Sequence, residues 1–142
     1  MLLVYIAGPL TKGDRIENIR KAVLTAARVR DRGHLPFVPH IYDLWDLIDH
    51  HHYEYWMEMD LDWVRVSNIV LRLEGESSGA DREVALAKEL GIPVFLGLQE
   101  FMESKMWVPQ EEKKQNRSGM FDVEEEYLRQ EAEHLRKREE RE

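Results

Sequence analysis

Two carboxylates draw attention in this 142-residue chain, because each falls where a carboxylate is costly. Glu83 lies on a helix predicted over Gly79 to Leu90, three residues after Ala80 and four before Ala87. It therefore sits on or beside the buried stripe of Ala80, Val84 and Ala87. It also falls in the predicted first turn, where the helix amides favour a carboxylate in its charged form. A carboxylate that is partly dry yet ionised suits a nucleophile. An acid that merely complements the helix dipole is the commoner occupant of such a position. Ser78-x-x-Asp81 fits a capping box, which gives Asp81 a structural role.

Asp60 is the second candidate. It falls four residues after Trp56 and three before Trp63 on a helix predicted over Glu54 to Val66, with Trp56, Met59, Trp63 and Val66 on one face. Desolvation there raises a carboxyl pKa and suits it to hold or give a proton. A rim acid bonded to a neighbouring amide is the plainer alternative. Asp62 points elsewhere, toward water.

Two loops offer binding groups. Ser77-Ser78-Gly79 follows a strand and opens a helix, where small residues expose amides and hydroxyls to an anion. Gly8, Thr11, Lys12 and Gly13 form the matching loop after the first strand. Neither is a Walker or dinucleotide fingerprint, and ordinary turn chemistry accounts for much of this composition. His50-His51-His52 with His40 suggests a metal. Three consecutive side chains converge poorly on one ion, however, and no His pair has i,i+4 helical spacing. We expect no metal and no cofactor there, but a polar lid over the site, with Tyr53 and Tyr55 nearby.

The elements that must position these residues alternate. Leu2 to Ala7 reads as a buried strand ended by Gly8-Pro9. A helix follows, capped by Asp14, with Ile16, Ile19, Val23, Ala26 and Ala27 at helical spacing and Gly33 as its stop. Leu35 to Pro39 reads as a short strand at a sheet edge, given its prolines. His40 to Tyr53 reads as a loop with a short helix. The helix bearing Asp60, a strand over Asn68 to Leu73, the helix bearing Glu83, and a strand over Ile92 to Leu96 complete the order. Such alternation predicts an α/β fold: a doubly wound, flavodoxin- or Rossmann-like parallel sheet of four to five strands flanked by helices. Ligands on such sheets sit beyond the strand C-termini. The domain spans residues 1–108, followed by a polar linker over 109–120 and a charged C-terminal helix over 121–142. The stripe of Phe121, Leu128, Ala132 and Leu135 on that helix suits either a solvated face or self-association.

Bulk properties narrow the function. A net charge of -8 disfavours polymeric nucleic acid. The absence of cysteine removes disulfide, thiolate-metal and thiol-nucleophile chemistry. The first residues lack the basic leader of a signal peptide, and no apolar run is long enough to span a bilayer, so a cytoplasmic, membrane-free location is expected.

Taken together, Tyr5-Ile-Ala-Gly8-Pro-Leu-Thr, Asp60-Leu-Asp-Trp63, Ser67-Asn68, the run Glu74-Gly-Glu-Ser-Ser-Gly79-Ala-Asp-Arg-Glu83-Val-Ala-Leu-Ala87 and Gly91-Ile-Pro-Val form a recognisable set. Over roughly residues 2 to 98 the chain resembles the nucleoside 2-deoxyribosyltransferase superfamily, particularly its small nucleotide N-glycosidase-like members. The resemblance implies that Glu83 attacks the sugar C1′, that Asp60 assists at the base or sugar, and that Tyr5 lies near the nucleophile. It implies a nucleoside or nucleoside 5′-monophosphate as the small-molecule partner, with hydrolysis or transfer to a second base as the outcome. It also implies a homodimer or higher homo-oligomer, for which Trp45, Trp56 and Trp107 are candidate patches. Deoxyribosyltransferases tend to carry an acid where this chain has Ser77, and nucleotide-cleaving relatives a serine. Ser77 thus leans toward a 5′-phosphate. Pro9 departs from the phosphate-binding first loop of those relatives, which leaves Lys12, Thr11 or Arg72 to substitute. A non-catalytic nucleotide-binding module of the same fold is the alternative.

Overall fold

The computed structural model describes residues 1–107. The linker and charged helix expected over 109–120 and 121–142 lie outside the described residues. In chain order the elements are β1 (Leu3–Ala7), α1 (Arg15–Asp31), β2 (Leu35–Phe37), a 3-10 turn (Pro39–Ile41), α2 (Tyr42–Ile48), α3 (Tyr53–Val66), β3 (Ile69–Arg72), α4 (Ser78–Glu89), β4 (Val94–Leu96) and α5 (Gly97–Glu103). The last helix has no counterpart in the sequence reading.

The four strands pair in parallel in the order β2-β1-β3-β4. This is the expected doubly wound α/β sheet. β1 leads to β2 on one side, and the chain then crosses back over β1 to β3 on the other. The carboxyl ends of β1 and β3 therefore diverge at the topological switch point, where such sheets leave a crevice. Parallel strands covered on both faces need apolar residues throughout, and β1 and β3 supply them: Val4 to Ala7 and Ile69 to Leu71 are all fully buried.

Side-chain alternation sorts β1 between two cores. Val4 packs with Val29, Ile69, Leu71, Leu98 and Phe101, while Ile6 packs with Ala22, Ala26 and Val38. Tyr5 and Ala7 face the opposite way, with Val64, Val70, Ala80 and Ala87. That parity points Tyr5 at the layer formed by α3 and α4, which carry Asp60 and Glu83.

Several local expectations need correction. On α1 the buried residues are Ala22, Thr25, Ala26 and Val29, whereas Ile16 is 74% exposed and Val23 also faces solvent. Apolar residues occur on two sides of this helix, and the small ones fit closer to the sheet. On α3 the buried residues are Met57 and Val64, and Val66 is exposed. Trp107 is not a surface patch: it packs edge-on against Phe101 with the Arg32 guanidinium over its ring. Asp14 does cap α1, accepting from the Glu17 amide at 3.0 Å. No helix among the described residues is long and apolar enough to cross a membrane.

Candidate active site

A cleft of about 230 Å³ opens at the switch point. Its walls come from the loop after β1 (Gly8, Thr11, Lys12), from α2 (Tyr42, Asp43, Asp46), from α3 (Tyr53, Trp56, Met57, Asp60) and from the start of α4 with its preceding loop (Glu76, Ser77, Ser78, Gly79, Glu83). Tyr5 lies fully buried beneath it. Glu83, Asp60 and both candidate binding loops are thus gathered in one cleft, with Tyr5 beneath it.

Close backbone approach makes this convergence possible. A Cβ on Gly8 would stand 2.9 Å from the Leu73 Cβ. Gly75, at φ 119°, lets Pro9 pack where a Cβ would stand 2.6 Å from its ring. The loops after β1 and β3 therefore touch. Gly79 does the same for the Tyr53 hydroxyl, which would lie 2.9 Å from an added Cβ.

At the floor, the Tyr5 hydroxyl donates to Glu83 Oε1 at 3.0 Å, between groups 78 residues apart in sequence. Asp60 Oδ1 is buried with no hydrogen-bond partner. Burial is the main influence on all three groups. It pushes Glu83, only 5% exposed, up to about 8, with the Asp60 charge adding to the rise and the Tyr5 hydroxyl opposing it. It pushes Asp60 up to about 7. The Tyr5 phenol is raised well above its ordinary value by burial and then by both carboxylates, so it remains a donor. The two carboxyls repel each other, so they titrate as a pair that retains a proton at neutral pH.

This corrects one expectation. α4 begins at Ser78, and its N-cap is Ser77, whose hydroxyl accepts from the Ala80 amide at 3.2 Å. The capping box drawn from Ser78 is one residue out of step. Glu83 therefore lies in the second turn, beyond the free amides, and desolvation outweighs the helix dipole. Asp81 instead meets Arg72 at 3.1 Å.

Arg72 is unsuited to hold a phosphate, because its guanidinium is committed to the Leu73 and Gly75 carbonyls and to Asp81. Lys12 pairs with Glu76 at 2.5 Å. Arg15 makes two bonds to Asp43, and both residues line the cleft. The histidines divide. His40, 2% exposed, lines the cleft with Nε2 3.0 Å from the Pro9 carbonyl, and burial lowers its pKa. His50, His51, His52 and Tyr55 do not line it, so the expected histidine lid is replaced by α2 and Tyr53. His50 and His51 bond Asp46 and Asp49 instead, and His51 stacks on Tyr55. Among the described residues no group of three His, Cys, Asp or Glu side chains is placed to hold a metal ion.

Sequence reasoning missed the link between Asp46 and Trp56 in the cleft wall. Asp46 accepts the Trp56 indole N–H at 2.7 Å and the His51 amide at 3.1 Å, which with His50 keep it below the usual carboxylate range. Trp56 also contacts the rings of Tyr42 and Trp45. The spacing of Trp56 and Asp60, one helical turn apart, was the available signal.

Comparison with known proteins places the chain further. The model of a family described as a domain of unknown function, DUF7768, matches residues 2–96. Among solved structures, the 2-deoxyribosyltransferase of the psychrotolerant bacterium Bacillus psychrosaccharolyticus is similar with a TM-score of 0.51 at 23% identity, over 65% of this chain and 69% of that one. The 2-deoxyribosyltransferase of Leishmania mexicana is similar with a TM-score of 0.51 at 19% identity, over 67% of this chain and 63% of that one. These likenesses show a nucleoside 2-deoxyribosyltransferase-like fold. No curated protein matches the sequence significantly.

Proposed function

Starting from a chain that belongs to the DUF7768 family and has the deoxyribosyltransferase-like fold, we propose that it is an enzyme acting on the N-glycosidic bond of a nucleoside or nucleoside 5′-monophosphate. The observation that carries this reading is the buried cluster of Tyr5, Glu83 and Asp60 at the floor of an aromatic-walled cleft. Departure of the base builds positive charge on the sugar. A carboxylate held against C1′ stabilises that charge and forms an ester with the carbon. Glu83 takes this role. Asp60, raised toward neutrality by burial, keeps a proton available for the leaving base. Tyr5 holds the Glu83 carboxyl through its hydroxyl and fixes its orientation. Gly8, Thr11, Lys12, Ser77, Ser78 and Gly79 bound the remaining cleft and hold the sugar and its 5′ side. Water as acceptor gives hydrolysis, and a second base gives transfer.

One observation favours a binding-only reading. Burial pushes Glu83 up to about 8, which favours its protonated, non-nucleophilic form at neutral pH. Incubation with a panel of nucleosides and 5′-monophosphates, with free base followed by chromatography, separates the two. Base release that disappears in Glu83→Gln, together with a mass adduct on Glu83 after treatment with a 2′-deoxy-2′-fluoro nucleoside, is the expected result. Binding without base release from every compound would replace the enzyme by a nucleotide-sensing module.

A further inference from the structure

The cleft holds an imbalance that the proposed reaction does not use. Its charged lining residues are Lys12 and Arg15 against Asp43, Asp46, Asp60, Glu76 and Glu83. Both cations are already engaged, Lys12 with Glu76 and Arg15 with Asp43. Both lining cations are thus paired before a phosphate could meet them, while Asp60 and Glu83 have no cation partner within the lining and Asp46 is held by Trp56, His51 and His50. Thr11, Ser78 and Tyr53 add hydroxyls that both donate and accept, but two deeper groups are left with unused acceptor atoms. His40 is almost fully buried, its Nε2 faces the Pro9 carbonyl, and its Nδ1 has no partner. With the proton on Nε2, the Nδ1 lone pair is left as an acceptor. Asp60 Oδ1 is likewise buried and unpartnered.

The wall above these acceptors is aromatic. Trp56 stands one helical turn before Asp60 and lines the cleft, and its ring is set by Tyr42, Trp45, Tyr55 and His51 around it. Its indole N–H donates to the Asp46 carboxylate at 2.7 Å. Donation to an anion pushes electron density into the indole, which strengthens the face of the ring as a partner for positive charge. Trp is already the best of the aromatic side chains in that role.

Resting on the N-glycosidase reading, we infer that the substrate is a nucleoside whose base carries a fixed positive charge, such as an N-glycosylated pyridinium or N-alkylated purine, bound against Trp56 and lacking a 5′-phosphate. The chemistry balances without an outside proton. The C1′–N bond breaks with its electron pair moving to the base nitrogen, which leaves neutral, while a Glu83 oxygen forms the C1′–O bond. Water then replaces Glu83 at C1′ and loses a proton to the freed carboxylate. A cationic base also favours the ionised forms of the nearby carboxyls, so on its arrival Glu83 releases its proton to solvent and becomes the nucleophile.

The test compares nicotinamide riboside with its dihydro form, which has nearly the same shape but no charge, and with nicotinamide riboside 5′-monophosphate, each as riboside and 2′-deoxyriboside. Binding is measured calorimetrically on the full-length Glu83→Gln protein, which cannot turn the compounds over. The cationic nucleoside is expected to bind at least tenfold more tightly than the dihydro form and more tightly than the monophosphate. Trp56→Leu is expected to bring the cation-to-neutral ratio near one, Trp56→Phe to retain part of it, and Asp46→Asn to lower it severalfold. Equal or tighter binding of the dihydro compound, tighter binding of the monophosphate, or a ratio untouched in both Trp56 variants overturns the inference. The two readings fail separately. Cation-selective binding with no base released by the unaltered protein removes the enzyme and leaves the selectivity. Base release with no preference for charge does the reverse.

Discussion

Glu83→Gln should make the fold more stable at alkaline pH, although it alters the centre of the site. The folded-state value of Glu83 lies near 8, above the ordinary 4.5, chiefly because of burial. The folded chain therefore holds this proton more tightly than the unfolded chain. The contribution to stability is complete below about pH 4.5 and is lost as pH rises through about 8. The interval between 4.5 and about 8 corresponds to about 5 kcal/mol at about 1.4 kcal/mol per pH unit. Relaxation around an ionised buried group, and sharing of the effect with Asp60, bring the expected difference to about 2–4 kcal/mol. A glutamine keeps the shape and still accepts from the Tyr5 hydroxyl, but never ionises. Guanidinium unfolding of both proteins at pH 5 and pH 9 reads the difference directly. At pH 5 the two should agree within about 1 kcal/mol, as expected of neutral groups of equal size. At pH 9 the variant should be ahead by about 2–4 kcal/mol. Titrations of groups not coupled to Glu83 cancel in this difference, and the coupled Asp60 is covered by the range given. Parallel loss of stability by the two proteins, or an unaltered protein that stays ahead at pH 9, would refute the burial reasoning.

Asp60→Asn removes the charge that adds to the rise of Glu83, so the Glu83 midpoint should move to lower pH, as read by carbon NMR of the labelled carboxyl. Ser77→Ala removes the cap of α4 and should cost about 1 kcal/mol, a fall in Tm of about 4–8 °C. Gly75→Ala forces a side chain into a left-handed position and against the Pro9 ring, and should cost more than about 1 kcal/mol in denaturant unfolding. Glu54→Ala breaks an exposed, two-bond pair with Arg82 and should change stability by less than about 1 kcal/mol.

The order of strands and helices was legible because Gly8-Pro9, Asp14, Gly33 and Gly91 punctuate the chain at element boundaries and the apolar runs between them have strand or helix length. The convergence of Glu83, Asp60 and the two loops followed from the rule that parallel sheets bind at their carboxyl ends. Other features were not legible, for identifiable reasons. The buried face of α1 depends on which of two apolar sides fits the sheet, and only the packed neighbours decide that. Ser77 and Ser78 are both competent caps, so the frame of α4 was uncertain by one residue, and that residue moved Glu83 away from the helix terminus. Its protonation followed from burial and from Asp60, neither of which is visible along the chain. The links from Arg15 to Asp43 and from Asp46 to Trp56 join different elements and leave no local pattern. α5 is only seven residues long and begins at Gly97 directly after β4, so it gave little periodic signal.

The helices that bear the two carboxyls, α3 and α4, pack directly on each other, with the Glu54–Arg82 pair on their outer side. The two acids are therefore carried by one packed pair of helices, and that packing sets their spacing. Elsewhere around the cleft the contacts are ion pairs: Arg15 at the start of α1 holds Asp43 on α2, and Lys12 after β1 holds Glu76 before α4. Added salt weakens those pairs first, whereas the packing that sets the spacing of the two acids does not depend on it.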